Sequence, residues 1–437
     1  MRPSRRRLGA FVIPAVLLIG VSTLSSLSAE AGGVTTRRVS VASNGDEADG
    51  PSSTAAVSAD GRFVAFQSYA TNLVPNDTNG TYDIFVHDRK TGRTRRISVS
   101  SSGAQGAAPS YYPSISADGR FVAFQSYATT LVPGDTNGFA DIFVHDRKTG
   151  TTRRVSLRSN GNEATDESNT PKISADGRFV AFQSYAPNLV SGDTNDHPDV
   201  FVRDRATGRT TRVSVSSAGR QGNGESGHLS ISADGRLVAF ESGSSNLVGF
   251  DMNAAYDVFV HDRQTGKTRR VSVSSAGTEG DGGSYWPALS DDGRFVAFYA
   301  DAPNLVKGDT NSFPDVFVHD LVTGKTSRVS VRSSGTQANE GSYDPWISGN
   351  GRFVGFSAEA SNLVGGDTNN ASDVFVRDRA TSKTRRESVD SAGVESNGDS
   401  FGPIISADGR FIVFESYGSN LVPDDNIFSD VFVRGLP

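Results

Sequence analysis

The sequence predicts an all-β protein, a seven-bladed β-propeller with four antiparallel strands per blade. Three observations support this prediction: a phrase that repeats seven times at a fixed interval, four strand-like runs in each copy, and chain ends that complement each other. Together they assign residues 32–437 to one domain of seven 58-residue repeats.

The repeated phrase is Ser-Ala-Asp-Gly-Arg-Phe-Val-Ala-Phe, with small variations between copies. A fixed interval of this length is typical of propellers and solenoids. Its glycine recurs every 58 residues, at Gly61, Gly119, Gly177, Gly235, Gly293, Gly351 and Gly409.

Each copy contains four runs with the character of β-strands, as the second copy illustrates. Residues 113–116 form a short run that ends in a turn, and Phe121–Ser126 and Asp141–Asp146 are apolar and β-prone. Residues 152–157 alternate between polar and apolar, as expected of an outer strand that faces water on one side. Short turns between neighbouring runs predict an up-and-down antiparallel sheet, and four such strands per repeat are typical of a propeller blade.

The two ends of the domain complement each other. The seventh copy stops after its third strand, at residues 431–434, whereas residues 35–41 match a fourth strand that lacks the other three. We therefore expect the N-terminal strand to complete the last blade and close the ring, which hides sheet edges that invite aggregation. The 406 residues after Ala31 equal seven repeats of 58.

The first 31 residues have the pattern of a signal peptide. Arg5, Arg6 and Arg7 precede an apolar run over residues 8–24, and Ala29-Glu30-Ala31 fits a cleavage site. We expect cleavage after Ala31 and a secreted, extracellular protein without a membrane span. The pattern leaves the Sec and Tat export routes both open.

Composition narrows the classes of function. The chain has no cysteine, so it forms no disulfide and has no thiol nucleophile. It has 43 basic and 49 acidic residues, and residues 1–31 hold four of the former and one of the latter. The acidic excess that remains disfavours nucleic-acid binding. We expect a monomer.

The motif residues resemble a known family. Ser-Ala-Asp-Gly-Arg-Phe-Val-Ala-Phe followed by Asp-Ile-Phe-Val-His-Asp-Arg-Lys-Thr-Gly is similar to the WD40-like (PD40) repeat of TolB-type propellers. The resemblance covers residues 35–437 and implies the propeller fold, without specifying a function. Within this family we expect a secreted member without the N-terminal α/β domain that TolB has.

The loop between the second and third strands repeats the pattern Asp-x-Asn-x-x-x-Asp. Alternate oxygens on a tight loop suit a hard cation such as Ca²⁺, with carbonyls or waters completing the shell. The same residues are also typical of Asx turns, in which the side chain bonds its own backbone, so both interpretations stay open. The candidate metal ligands are Asp77, Asn79, Asp83, Asp135, Asn137, Asp141, Asp193, Asn195, Asp199, Asp251, Asn253, Asp257, Asp309, Asn311, Asp315, Asp367, Asn369, Asp373, Asp424, Asn426 and Asp430.

The start of the innermost strand varies most between copies. In a propeller this segment lies at one mouth of the central channel, where aromatic side chains can stack on a sugar or hold a partner's side chain. Packing of these aromatics between adjacent blades is the alternative. The candidate ligand-binding residues are Tyr111, Tyr112, Lys172, His228, Tyr285, Trp286, Tyr343 and Asp344.

No catalytic motif is present, and we assign no catalytic residue. Sevenfold repetition favours architecture, since catalysis needs one asymmetric site. The leading hypothesis is a module that binds or scaffolds a protein or glycan. One alternative is a polysaccharide lyase or hydrolase that uses His228, Asp344 and Lys172, which rests on analogy of fold. Another is a structural or adhesive protein stabilised by calcium.

Overall fold

The computed structural model describes residues 34–423 and 425–437, so the predicted signal peptide and Asp424 lie outside the described residues. Within those ranges the chain forms seven four-stranded antiparallel sheets, which are the seven predicted blades. A single turn of 3₁₀ helix, Pro303–Leu305, lies in one loop. The described residues contain no helix of the length and apolar character that crossing a membrane requires.

In blades 1–6 the strands follow one another in chain order from the innermost to the outermost. In blade 7 the outermost strand is the N-terminal β1. The innermost strands of blades 1–7 are β2 (Ser52–Val57), β6 (Ser110–Ile115), β10 (Ser168–Ile173), β14 (Ser226–Ile231), β18 (Ser284–Leu289), β22 (Ser342–Ile347) and β26 (Ser400–Ile405). The second strands are β3 (Phe63–Ser68), β7 (Phe121–Ser126), β11 (Phe179–Ser184), β15 (Leu237–Ser242), β19 (Phe295–Ala300), β23 (Phe353–Ala358) and β27 (Phe411–Ser416). The third strands are β4 (Asp83–Asp88), β8 (Asp141–Asp146), β12 (Asp199–Asp204), β16 (Asp257–Asp262), β20 (Asp315–Asp320), β24 (Asp373–Asp378) and β28 (Asp430–Gly435). The outermost strands are β5 (Arg93–Arg96), β9 (Thr151–Arg154), β13 (Arg209–Arg212), β17 (Lys267–Arg270), β21 (Thr326–Arg328), β25 (Lys383–Arg386) and, for blade 7, β1 (Thr36–Arg38).

The second and third strands are apolar on both faces because each blade is covered by a blade on either side. In blade 2, Phe124 pairs with Phe143 across the two strands, and their rings stack with centroids 5.9 Å apart. Both side chains are fully buried. The core is therefore a series of apolar layers between blades, and together these layers extend around the ring.

The ring closes as the sequence predicts. Strand β1 pairs antiparallel with β28, with Thr36 opposite Arg434. Thr36 Oγ1 also donates to Val389 O in blade 6 at 2.6 Å. The first strand therefore belongs to blade 7 and also contacts blade 6.

The outermost strands are shorter than predicted and less solvated. Strand β9 ends at Arg154, because the chain then turns inward and buries Val155 and Ser156. Arg153 is exposed, but the Arg154 side chain is only 9 % exposed and binds the loop of its own blade. Only one of the two adjacent arginines therefore faces water.

The repeated phrase forms the seam between blades. Gly119 of blade 2 has φ +70°, and a Cβ on it would lie 2.1 Å from Phe63 Cδ2 of blade 1. The Phe63 ring also lies under two guanidinium groups, those of Arg62 at 4.6 Å and Arg147 at 4.2 Å from its centroid. The glycine therefore allows the preceding blade's aromatic ring to approach the turn, and the arginines cover that ring.

At the mouth of the channel next to these turns, backbone hydrogen bonds link each blade to the next. We call this set the amide ring. Its bonds measure 3.0–3.3 Å and run from Ala59 N to Ala117 O, Ala117 N to Ala175 O, Ala175 N to Ala233 O, Ala233 N to Asp291 O, Asp292 N to Gly349 O, Gly349 N to Ala407 O, and Asp408 N to Ala59 O. Every seam, including the closing one, is bridged in this way.

Candidate ligand-binding site in the central channel

The innermost strands surround a cavity of about 410 Å³ at the mouth opposite the amide ring. Cavities of 300–1,000 Å³ are typical of small-molecule sites. The outermost layer of its wall is a set of seven equivalent residues, which we call the mouth ring: Thr54, Tyr112, Thr170, His228, Trp286, Asp344 and Gly402. The next layer is largely proline: Ala55, Pro113, Pro171, Leu229, Pro287, Pro345 and Pro403.

A β-bulge points the mouth ring into the cavity. In blade 2, Tyr111 pairs with Gln125 and Ser114 with Ala123, so Tyr112 and Pro113 together lie opposite one residue. All seven residues of the mouth ring have positive φ, between 31° and 57°, although only one is glycine. Bulges redirect side chains, and non-glycine residues adopt this conformation at a cost of about 1–2 kcal/mol each. The architecture therefore maintains strain at the same point in every blade.

Hydrogen bonds from neighbouring blades hold the bulges. The amide of Tyr112 donates to Gln67 Oε1 at 3.1 Å, and the amide of Trp286 donates to Glu241 Oε2 at 2.9 Å. Thr54 N donates in the same way to Glu415 Oε2 at 3.3 Å. The acceptors share one position in the second strand, so a polar residue there fixes the bulge of the next blade.

His228 and Trp286 form one side of the mouth. His228 Nδ1 lies 2.6 Å from Glu241 Oε1, and the imidazole and indole centroids lie 5.1 Å apart with the rings 30° from parallel. Both side chains are close to half exposed, and Tyr112 is exposed to a similar degree. The mouth thus presents two aromatic surfaces to a ligand.

The carboxylates at the mouth are engaged with their own surroundings. Asp344 Oδ2 accepts from Ser357 Oγ at 2.9 Å, and burial raises the pKa of Asp344. Burial also raises the pKa of Glu415. Both groups are therefore protonated more readily than ordinary carboxyls.

A lysine and a tryptophan meet deeper in the channel. The Lys172 ammonium in blade 3 lies 5.5 Å from the centroid of the Trp346 ring in blade 6. Trp346 Nε1 donates to Ile405 O at 3.2 Å, which fixes the indole. Both residues line the 410 Å³ cavity and also a second, smaller cavity next to the amide ring. The pair therefore separates the channel into two compartments.

Five of the eight predicted ligand-binding residues line the cavity: Tyr112, Lys172, His228, Trp286 and Asp344. The other three tyrosines pack among aromatics, as the alternative interpretation of inter-blade packing describes. Tyr111 contacts Tyr82 with ring centroids 5.5 Å apart, and Tyr285 and Tyr343 lie 5.3 Å and 5.6 Å from Tyr299. They support the wall and do not line it.

The eight predicted residues did not include Trp346, Glu241 and Glu415. A signal for Trp346 was available, because the equivalent positions in the other repeats hold Ala, Ser, Lys or Ile. Glu241 and Glu415 lie on the second strand, where Gln, Tyr and Ser occupy the other repeats. Comparing the repeats at that position would have found them.

The Asp-x-Asn loops are organised around an arginine. In blade 2, Arg154 Nη1 lies 3.1 Å from Asp135 Oδ1 and 2.9 Å from Asp141 Oδ2. Asn137 has the geometry of an Asx turn, because its Oδ1 accepts from Phe139 N at 2.9 Å while its Nδ2 donates to Ala164 O. The guanidinium thus lies where a cation would sit between the two carboxylates, and calcium binding at these loops stays a prediction.

The loops are of two kinds, which differ in the residue contributed by the segment after the outermost strand. In blade 3, Gln221 Nε2 donates to Asp193 at 2.7 Å and Asp199 at 3.2 Å. In blade 4, Glu279 replaces the glutamine and adds a third carboxylate beside Asp251 and Asp257. Burial and these neighbouring charges raise the pKa of Asp251 to about 6. The glutamate loops therefore hold more negative charge than their one arginine offsets.

In blade 7 the loop departs from the predicted spacing. Asp425 Oδ1 lies 2.7 Å from Arg38 Nη1, the position that Asp77 takes beside Arg96 in blade 1. Asn426 keeps its predicted place and donates to Ala48 O at 2.9 Å. The predicted ligand Asp424 lies outside the described residues.

The four histidines at equivalent positions of the third strands are buried. Each Nδ1 lies 2.9 Å from a threonine Oγ1 on the outermost strand, in the pairs His87–Thr94, His145–Thr152, His261–Thr268 and His319–Thr326. Burial lowers the pKa of His145 to about 4. These histidines are structural.

No protein-family model and no curated protein sequence matches this chain. Solved structures are similar to it in fold. An oligogalacturonate lyase in complex with manganese has a TM-score of 0.55 at 14 % identity, over 93 % of this chain and 97 % of the lyase. The β-propeller domain of the Trilobed protease from Pyrococcus furiosus, described as having an open velcro topology, has a TM-score of 0.51 at 12 % identity, over 88 % of this chain and 95 % of that one.

TolB from Acinetobacter baumannii is also similar, with 17 % identity and a TM-score of 0.40. The match covers 69 % of this chain and 58 % of that TolB chain. At these identities the likeness to the lyase and to the protease domain concerns the β-propeller fold alone.

Proposed function

We propose that this protein is a secreted binding module whose channel mouth holds part of a protein or glycan partner. The observation that carries the proposal is the contrast between frame and mouth. The seams and strand pairings repeat almost unchanged around the ring, whereas the mouth ring has six residue types at seven equivalent positions. A variable wall around one cavity is what ligand recognition requires, since a symmetric frame cannot itself distinguish ligands.

The chemistry of the mouth suits a ring or a large side chain. Tyr112 and the paired rings of His228 and Trp286 offer faces for stacking, and the proline layer below them adds an apolar surface. Aromatic anchors in a partly desolvated pocket carry much of the affinity in many complexes.

Secretion and a monomeric state are part of this proposal. The signal-like pattern of residues 1–31 supports export, and ring closure supports a monomer because strand β1 pairs the edge that β28 would otherwise expose.

The test compares capture by the wild-type protein with capture by Tyr112→Ala and Trp286→Ala. Immobilised protein is exposed to a defined panel of cell-wall polysaccharides and secreted proteins, and bound material is quantified. We expect both variants to lose capture. Phe250→Ala is the matched control, because Phe250 is an exposed aromatic on a loop. Equal capture by all four proteins would refute the proposal.

A second candidate is a lyase or hydrolase acting on an extracellular polysaccharide. The observation that favours it is that His228, Asp344 and Lys172 line one cavity, with His228 held by a carboxylate. A histidine oriented in this way suits general acid–base chemistry. The assay screens polysaccharides for new unsaturated or reducing ends, and activity that His228→Ala does not remove would exclude this role for the site.

A further inference from the structure

Lys172 is the unusual charge of the channel. Its side chain is partly buried, and burial lowers the pKa of its ammonium below the ordinary value. In the part of the chain that the structure describes, this ammonium has no hydrogen bond or ion pair, and it lies over the Trp346 ring. A cation held against an aromatic face but without a carboxylate is only partly compensated for its loss of water.

The nearby acids do not supply the missing partner. Among the cavity residues, Asp344 is bonded to Ser357, and Glu415 accepts from the amide of Thr54. Neither forms an ion pair with Lys172, since no carboxylate of the described residues lies within 4.0 Å of its ammonium.

The position of Lys172 in the repeat also indicates a specific role. Its six counterparts on the innermost strands are Ala56, Ser114, Ser230, Ala288, Trp346 and Ile404. The frame therefore does not need a charge at this depth. The surroundings of Trp346 are also specific to its blade. Trp346 pairs with Gly355, where the other repeats have Ala or Val. A Cβ on Gly355 would lie 3.1 Å from Pro403 Cβ.

We propose that the cavity binds a carboxylate carried on an apolar or aromatic stem, with the carboxylate on Lys172 and the stem between the proline layer and Trp286. This inference rests on the proposed binding function and names its ligand class. A carboxylate supplies the opposite charge that the ammonium lacks, and charge-assisted hydrogen bonds are the stronger kind. The carboxylate can belong to a free organic acid or to the end of a partner's chain.

The experiment uses the protein's own fluorescence. The chain has two tryptophans, and both Trp286 and Trp346 line the cavity, so tryptophan emission reports on this site directly. The secreted chain is titrated with phenylacetate and with phenylacetamide, which has the same shape without the charge. A second arm uses the peptide Ala-Ala-Phe with a free or an amidated C-terminus.

We expect saturable changes in emission, with the charged probe of at least one pair binding roughly tenfold or more tightly than its amide. Lys172→Met keeps an unbranched apolar stem, removes the ammonium and should abolish this preference. Lys148→Met, at an exposed turn, is the matched control and should retain it. Circular dichroism and thermal melting establish that each variant is folded.

Several results would overturn the inference: no saturable change with any probe, equal affinity for acid and amide, or a preference that survives Lys172→Met. Preference for phenylacetate alone would assign the site to free acids, and preference for the free peptide terminus would assign it to a chain end. Loss of capture in Tyr112→Ala and Trp286→Ala without any carboxylate preference would leave the proposed function standing and remove only this inference.

Discussion

Glu387 Oε2 lies 3.0 Å from Arg434 Nε, across the seam between blades 6 and 7. Glu387 is buried, whereas the equivalent positions of the other repeats hold valine or isoleucine. Arg434 also donates to Thr36 Oγ1 at 2.8 Å, so the ion pair is linked to the N-terminal strand. The seam between blades 6 and 7 thus has a buried Glu–Arg pair at a position where the other repeats are apolar.

This pair predicts a dependence of stability on pH. Burial raises the pKa of Glu387 from 4.5 to about 7. Between these values the folded protein holds a proton that the unfolded chain releases, so this group's contribution to stability falls as pH rises, by an amount on the order of 3 kcal/mol. In Glu387→Val, the melting temperature should fall less between pH 5 and pH 8 than in the wild type. The exposed Glu359→Val serves as control, and an unchanged slope in Glu387→Val would contradict the assignment.

The arginines of the Asp-x-Asn loops predict where calcium can act. Arg270 lies beside Asp251, Asp257 and Glu279, whereas Arg212 lies beside Asp193, Asp199 and a glutamine. Replacing either arginine by alanine should destabilise the fold by about 3–5 kcal/mol, because buried carboxylates lose their partner.

Calcium should restore the melting temperature of Arg270→Ala more than that of Arg212→Ala, since three carboxylates bind the ion better than two. Thermal melts in EDTA and in excess Ca²⁺ provide the measurement. Equal shifts in the melting temperatures of the two variants would show that the third carboxylate does not contribute to calcium binding.

Three glycines with almost the same φ separate backbone strain from packing. A Cβ on Gly92 meets nothing within 4 Å, a Cβ on Gly293 lies 2.9 Å from Leu237 Cδ1, and a Cβ on Gly119 lies 2.1 Å from Phe63 Cδ2. Gly92→Ala should cost about 1 kcal/mol from strain alone. Gly293→Ala should cost more and Gly119→Ala the most, by a further 1–3 kcal/mol or so, because the phenyl ring must move. Urea denaturation measures the series, and any other order would argue against this account of the seam.

Ring closure predicts the effect of removing the first strand. A chain that begins at residue 42 lacks β1, so the edge of β28 is exposed along the register from Phe432 to Arg434. We expect a lower melting temperature and concentration-dependent association, since a free edge pairs with other chains. Thermal melting and light scattering would test this, and a stable monomer would mean that closure by β1 contributes little.

The fold could be predicted almost completely because the seven copies reinforce one another. The 58-residue interval located every blade, and the orphan strand predicted that the N-terminal strand completes blade 7, as its pairing with β28 confirms. The outermost strand was harder to predict. Arg153 and Arg154 are identical in sequence, but it is Arg154 that forms ion pairs with Asp135 and Asp141. Adjacent arginines of one strand point to opposite faces, and the loop that covers one face was not visible in the pattern.

The site could be predicted in part. Tyr111 and Tyr112 are neighbours of the same type, yet the bulge directs Tyr112 into the cavity while Tyr111 packs against Tyr82. Variability between repeats located the segment, but backbone conformation decided which residue of each pair faces the ligand. The contact between Lys172 and Trp346 joins blades that are distant in sequence, so local patterns do not reveal it.

The amide ring limits how far one mouth of the central channel can widen. Because hydrogen bonds bridge every seam at that end, widening the far mouth would require blades to separate against their own core. The indole and the ammonium lie between that mouth and the larger cavity, because both line the cavities on either side. The far mouth is thus held at a fixed width, and a ligand too wide for it has to enter and leave past the mouth ring.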